Sequence, residues 1–331
     1  MNLDILKNRG SLIKNSSYIT SSFDLSKSRV DGLVDKLSKS YILNHSIKRF
    51  RKDYKSENHL NIINGLGVTL GDSIVGINAI ESIRRFNSNI KISVIRPESC
   101  PAYVEEIYSI AKKIINTIDY MPYDISKLST DAVNIDIGNQ LFWKDFNEME
   151  MHDFFLKNLG VDHLSIPPEW KRNHWLQDVM PKQKHKVNDY AIFCPNASTN
   201  LRSIPKKYHY QIIDDMYKKL NIPIIGFSPV EHPKFENITN QSRNTKEFIS
   251  MIANSNYVYT CDSSALHISA AYDIPTTCIF TSIRPELRSK YYYNCKSIYI
   301  GDKMTENLHE SENQTIINHV YNKYEEYYES R

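Results

Sequence analysis

The sequence predicts an α/β fold built from two Rossmann-like parallel-sheet domains. Three observations predict it. Short apolar runs that end in Gly, Pro or Asp alternate with amphipathic segments along most of the chain, as parallel strands alternate with the helices that cover them. The length, 331 residues, suits two α/β domains of ordinary size rather than one. A Pro-, Trp- and charge-rich stretch, Leu164–Lys186, interrupts the alternation near the middle.

The elements follow in order. Residues 1–58 are polar and basic, with helical periodicity over Val30–Leu43, and read as a partly helical extension. Domain one spans 59–165. It opens on the buried-strand run Leu60-Asn-Ile-Ile-Asn-Gly65, followed by a helix near Ser73–Phe86 with Ile74, Ile77, Ile80 and Ile83 at helical spacing. Lys91–Ile95 is the next strand, Tyr103–Ile115 a helix, and Ala132–Ile137 a strand. Residues 166–186 form the linker. The second domain spans 187–302, with strands at Tyr190–Pro195, Ile222–Phe227, Tyr257–Cys261 and Thr276–Phe280. Its helices fall at Ser203–Leu220, Thr245–Ala253 and Ser264–Tyr272. Ser203 is placed to cap the first of these, and Pro205 suits its first turn. Residues 303–331 read as a C-terminal helix, with Ser311 and Gln314 spaced as a capping box.

Composition narrows the classes of function. Apolar residues make up 41% and charged residues 24%, which supports real cores and excludes global disorder. The N-terminus lacks the apolar stretch of a signal peptide, and no apolar run approaches the ~20 residues that span a bilayer. A cytoplasmic protein is the expectation. The five cysteines include no C-x-x-C pair, so neither a disulfide framework nor a zinc site is expected. Residues 1–60 hold 12 Lys and Arg against 6 Asp and Glu, while the remainder holds 29 against 32. The basic excess includes Lys48, Arg49, Arg51 and Lys52. It points to an anionic partner such as an acidic glycan or a membrane surface, and the alternative is a solvated face. A mildly acidic body argues against nucleic acid.

Three segments could carry chemistry, and each follows a strand and enters a helix. The turn Gly65-Leu-Gly67-Val-Thr-Leu-Gly71-Asp72 would let backbone approach a ligand closely. Its spacing is not that of the dinucleotide motif, and Asp72 alone reads first as a carboxylate favourable to a helix N-terminus. The loop Asn196–Pro205 supplies Ser198 and Thr199 as hydroxyl donors and Arg202 as a bidentate clamp for diphosphate. The segment Asp262-Ser263-Ser264-Ala-Leu-His267 closes a strand and opens a small-residue helix before Pro275-Thr276. Ser263 and Ser264 would present hydroxyls and amides to a pyrophosphate. Asp262 is a candidate for sugar hydroxyls or for capping, and His267 for a ligand contact or plain packing.

In their order, these three pieces resemble glycosyltransferase family 9, the ADP-heptose:lipopolysaccharide heptosyltransferases. The resemblance covers about Asn61 to Phe280 and is most specific over Asp262–His267. Departures are Ser264 for the usual glycine, Ile204 for tryptophan, Arg202 for lysine and Ala79 for proline. It implies the GT-B fold, with the nucleotide sugar on the second domain, the glycan acceptor on the first, and the active site in a cleft. It also implies Asp72 as general base, Glu231 as a ribose contact and inverting transfer. The donor implied first is ADP-heptose, with no further cofactor. The chain holds no Asp-x-Asp motif, so no metal is expected at the pyrophosphate. The acceptor expected is a bacterial surface glycan or another acceptor, with lipopolysaccharide, capsule glycan and protein side chains all open, and the basic cluster is placed at the acceptor or the inner-membrane surface. Two other readings stay open: a GT-B sugar-nucleotide epimerase or hydrolase, and a non-catalytic nucleotide-sugar-binding protein.

Overall fold

The computed structural model describes residues 3–27, 32–183 and 189–329. The chain divides into two compact units, Met1–Lys171 and Arg172–Arg331. Residues 184–186 of the expected linker and 330–331 of the expected last helix lie outside the described residues, as do Val30 and Asp31.

The first unit contains strands β1 (Leu12–Lys14), β2 (Tyr18–Thr20), β3 (Val34–Lys36), β4 (Ile42–Leu43), β5 (His59–Ile63), β6 (Lys91–Arg96), β7 (Thr117–Tyr120), β8 (Tyr123–Asp124) and β9 (Val133–Asp136). Its helices are α1 (Ser22–Lys27), α2 (Leu70–Phe86), α3 (Ala102–Ile110) and α4 (Met151–Asn158). Five strands form a parallel sheet in the order β4-β9-β5-β6-β7. The apolar stripe of α2 does what its spacing predicts, with Ile74, Ile77, Ile80 and Ile83 fully buried. Thr69 caps that helix.

Within residues 1–58, the helix that the periodicity over Val30–Leu43 predicts is absent from the described residues, where strands stand instead. Apart from a short 3₁₀ turn at Leu3–Lys7 and the six-residue α1, the described part is strand and loop. Strands β1, β2 and β3 join β8 in an antiparallel sheet, and β4 edges the parallel sheet. The hairpin β1–β2 turns on Asn15 and Ser16, both at positive φ. Strands of two or three residues carry too few positions to show a period of two, so the helical pattern over 30–43 outweighed them.

The second unit contains β10 (Ala191–Cys194), β11 (Ile224–Gly226), β12 (Phe235–Asn237), β13 (Tyr257–Cys261), β14 (Thr276–Phe280) and β15 (Cys295–Tyr299). Its helices are α5 (Trp175–Val179), α6 (His209–Leu220), α7 (Thr245–Ala253), α8 (Ser264–Ala271) and α9 (Gln314–Glu329). The sheet is parallel throughout, ordered β12-β11-β10-β13-β14-β15. Helix α9 packs Ile317, Val320, Tyr324 and Tyr328 into the core beside Ile212 and Met216, and Tyr328 stacks on Tyr208 at 4.7 Å between centroids.

Two helix starts differ from expectation. The helix expected from Ser203 begins as a 3₁₀ turn at Lys206–Tyr208, and Ser203 instead braces the preceding loop, accepting from the Ala197 amide and donating to the Thr199 carbonyl. At α9 the Ser311–Gln314 capping box does not form. The Asn313 side chain takes the Thr315 amide at 2.9 Å, because the helix starts at Gln314 and Ser311 lies too far upstream.

Sheet order marks where each unit can bind a ligand. In the first unit the chain runs from β5 outward to β6 and β7, then returns to β9 on the other side of β5. In the second it runs from β10 to β11 and β12, then crosses to β13 on the opposite side. The loops after β5 and β9, and after β10 and β13, therefore part from each other. The crevice beyond the strand C-termini at such a switch point is where parallel sheets receive ligands.

Candidate functional site

The switch point of the second unit holds most of the residues singled out for the donor. The loop after β10 is fixed before any side chain acts: the Ile204 amide returns to the Pro195 carbonyl at 2.9 Å, and the Thr281 hydroxyl donates to the Leu201 carbonyl at 2.8 Å. That brings Arg202 across to the loop after β13. Its Nη1 donates to the Asp262 carbonyl at 3.1 Å and to Asp262 Oδ2 at 3.2 Å. Its Nη2 donates to Ser198 Oγ at 2.5 Å, and its Nε to Thr199 Oγ1 at 3.4 Å. The Thr199 hydroxyl in turn donates a hydrogen bond to the His309 carbonyl at 2.8 Å. Ser198, Thr199, Arg202 and Asp262 are therefore one network, assembled from segments 60 residues apart.

Its electrostatics favour an anion. Asp262 is buried, and burial acts to raise its pKa. The charges of Arg202, Arg288 and His267 outweigh burial and hold the carboxyl below the usual carboxylate range. Burial likewise disfavours the Arg202 guanidinium, and Asp262 reverses this and holds its pKa above the ordinary value. Arg202 and Arg288 both act on Asp262, and Glu310 adds a second negative charge near Arg202, all beside the start of α8. Ser263 is the N-cap of α8 in extended backbone, its hydroxyl 3.1 Å from that of Thr260, and Ser264 is the first helical residue. The amides of a first helical turn lack intrahelical partners and suit a phosphate. All seven residues of α8 after Ser264 are buried, which its alanines permit.

His267 is buried on that helix, with Nδ1 2.7 Å from the Tyr292 hydroxyl, which Asn173 also holds at 2.9 Å. The packed reading of His267 describes this geometry better than a ligand contact. Glu231 is not among the groups that Arg202 touches. It is exposed on the loop after β11 and lines an open depression of about 600 Å³ with Pro229, His232 and Phe235.

The switch point of the first unit holds the glycine turn and Asp72. Gly67 has φ +84° and Leu66 φ +70°. A Cβ at Gly67 would stand 2.5 Å from Asp72 Cβ, so the missing side chain lets the half-buried Asp72 fold down onto the turn. Gly65 is needed for close packing, since a Cβ there would meet Val94 at 2.8 Å. Gly71 lies in the first turn of α2. Beneath the turn sits Arg96, fully buried, which donates to the Gly65 carbonyl at 2.8 Å and the Gly67 carbonyl at 3.3 Å. Glu105 neutralises it at 2.9 Å and the Tyr108 ring stacks 3.7 Å from it.

Four residues near these switch points escaped sequence reasoning: Arg96, Gln140, Arg288 and His309. Arg96 left one signal, an arginine closing the apolar strand Lys91–Arg96. Arg288 and His309 belong to irregular segments far along the chain and left none. His309 is held well below the ordinary histidine pKa, to about 4, by burial and then by the charges of Arg288 and Arg202.

The basic cluster has partners. Arg51 pairs with Asp162 at 3.3 Å and Lys52 with Glu57 at 2.6 Å, while Lys48 and Arg49 are exposed. Among the described residues no three His, Cys, Asp or Glu side chains group as a metal site would need, and no helix is long and apolar enough to cross a membrane. Cys194, Cys261 and Cys278 are buried in the second sheet, and burial pushes the Cys261 thiol up to about 12.

No family model matches the sequence, and no curated protein matches it. Solved structures do. The E. coli heptosyltransferase WaaC with ADP superposes with a TM-score of 0.51 at 13% identity, covering 81% of this chain and 99% of that one. The E. coli ADP-heptose lipopolysaccharide heptosyltransferase II gives 0.51 at 11% identity, with the same coverage. The chain therefore has a heptosyltransferase-like GT-B fold.

Proposed function

We propose that this chain transfers a sugar from a nucleoside-diphosphate donor to a hydroxyl of a glycan acceptor, with inversion and without a metal. The observation that supports it most is the Arg202–Asp262–Ser198–Thr199 network at the second switch point, with Arg288 adding positive charge beside the start of α8. A diphosphate leaving group gains one negative charge as its bond to the sugar breaks. Preorganised cations and helix amides that meet this charge lower the barrier. Asp72 is the proposed base, taking the proton of the attacking hydroxyl as oxygen bonds to the anomeric carbon and the electron pair departs with the phosphate oxygen. Asp262 is proposed to orient Arg202 and to receive sugar hydroxyls. ADP-heptose is the donor to try first, because both of those E. coli structural neighbours are heptosyltransferases. Glu231 is kept as a proposed ribose contact. Exposed Lys48 and Arg49 would meet an anionic acceptor or the inner-membrane surface.

Calorimetric titration with ADP-, GDP-, UDP- and CDP-sugars tests the donor. Binding of one of them with micromolar affinity, in EDTA, is the expected result, followed by nucleotide release that rises when acceptor glycans are added. No binding of any donor removes the proposal. Release or isomerisation that acceptors leave unchanged replaces it with the epimerase or hydrolase reading.

A further inference from the structure

The loop leaving β9 flanks the first switch point, yet nothing above gives it a role. Asn139 sits in the left-handed region at φ +56°, and its side-chain amide donates to the Leu6 and Asn8 carbonyls at 2.8 and 2.6 Å. The Trp143 indole donates to the Gly138 carbonyl at 3.0 Å. These contacts pin the short turn Gln140–Phe142 and with it the side chain of Gln140, which is only 6% exposed. Its carboxamide oxygen meets no donor among the described residues, and a buried polar atom in that state is costly to keep. The other end of the carboxamide lies at the glycine turn. A Cβ on Gly67 would stand 2.9 Å from Gln140 Nε2 and 2.9 Å from Asp72 Oδ2. Gln140 and Asp72 therefore converge on one bare Cα, one from each loop of the switch point.

We propose that Gln140 is the acceptor-binding partner of Asp72, and that the acceptor presents two adjacent hydroxyls to the pair. One hydroxyl gives its proton to Asp72. Its neighbour hydrogen-bonds the carboxamide. A hydroxyl both donates and accepts, so it serves either end of the amide, and rotation about the last side-chain bond exchanges those ends. The substrate class is a pyranoside with a vicinal diol, whose two hydroxyls meet Asp72 and Gln140 at this switch point. This rests on the reading of Asp72 as the base.

The side-chain amide resonance of Gln140 in a ¹⁵N spectrum of the full chain gives a direct readout, assigned by its loss in Gln140→Asn. Methyl α-glycosides of mannose, glucose, galactose and heptose are the probes, titrated singly, with ADP as a separate titrant. We expect the resonance to move with at least one glycoside and to stay within line width with ADP. In Gln140→Asn the same glycoside should bind at least tenfold more weakly, read from resonances near Asp72, with ADP affinity unchanged within twofold. A Gln140 resonance unmoved by all four glycosides overturns the proposal, as does unchanged glycoside affinity in the variant. If ADP and the other nucleotides bind nowhere, the donor reading fails by itself, and the glycoside titration still decides Gln140.

Discussion

The two switch points have the same topology and opposite chemistry. In each, a central strand leads outward to one side and the chain returns to the other, leaving two loops to frame a crevice. In the second unit those loops carry Arg202, Ser198, Thr199 and Asp262, with Arg288 close enough for its charge to act on Asp262. In the first they carry a glycine turn, Asp72 and Gln140, and the buried Arg96 at the end of β6 is turned inward to backbone carbonyls and Glu105. Sheet order places both crevices, while their side chains differ in charge. Arginines beside a helix N-terminus are the chemistry that suits a diphosphate, and a carboxylate beside an amide is the chemistry that suits hydroxyls.

Removing the carboxylate from the first crevice should break the comparison most severely. Asp72→Asn keeps the shape of the side chain and removes its basicity. Turnover should fall by ~10²–10⁴, the usual value of a positioned general base, while nucleotide binding stays within twofold by calorimetry. Near-normal turnover would show that the first crevice does no proton chemistry. The second crevice should answer in the opposite way. Arg202→Ala alone would leave Asp262 as a buried charge short of its nearest partner, so the cleaner variant is Arg202→Ala with Asp262→Asn. Nucleoside-diphosphate affinity should drop by about 10- to 100-fold, the range for charge-assisted hydrogen bonds. If affinity is retained, the diphosphate lies elsewhere.

The same contrast explains what the sequence could and could not convey. Strands β13 and β14 and helix α7 fall on their expected bounds, because long apolar runs closed by Asp, Pro or Asn leave little freedom. The second crevice was legible for a related reason. Its hydrogen-bonded candidate residues cluster in two short segments, each directly after such a strand, so local order already implied proximity. Arg288 and His309 were not legible, since they reach the site from loops that no pattern ties to it. In the first crevice Asp72 and its glycines could be read, but Gln140 could not. Its meaning depends on an absent Cβ at Gly67 and on a turn pinned by Asn139, neither of which a glutamine in isolation announces. Strands β1 to β4 were lost for want of length. They gain their place from ladders and side-chain bonds across the fold, as when the Ser11 hydroxyl reaches Asp136 at 2.8 Å.

The smallest expected effect sharpens the claim that the second crevice is positive. His309 is neutral in the folded chain down to about pH 4, because burial and the charges of Arg288 and Arg202 oppose its protonation, with Asp262 acting the other way. In the unfolded chain it takes up its proton near 6.5. Between those values the unfolded state binds more protons, so stability falls as pH falls. The contribution is complete above about pH 6.5 and is lost through about pH 4. By pH 5.5 the loss attributable to this group is about 1 kcal/mol. Thermal melts of wild type and His309→Asn at pH 7.5 and 5.5 should differ by that amount, with the variant losing less on acidification. A diphosphate bound beside Arg202 would offset part of the repulsion and raise the His309 pKa. The pH dependence of the wild type should therefore shrink in saturating nucleoside diphosphate and that of His309→Asn should not. Equal pH dependence in the two proteins would mean that neither burial nor the arginine charges depress the His309 pKa, and a wild-type pH dependence unchanged by nucleoside diphosphate would mean that the ligand's charge does not reach His309.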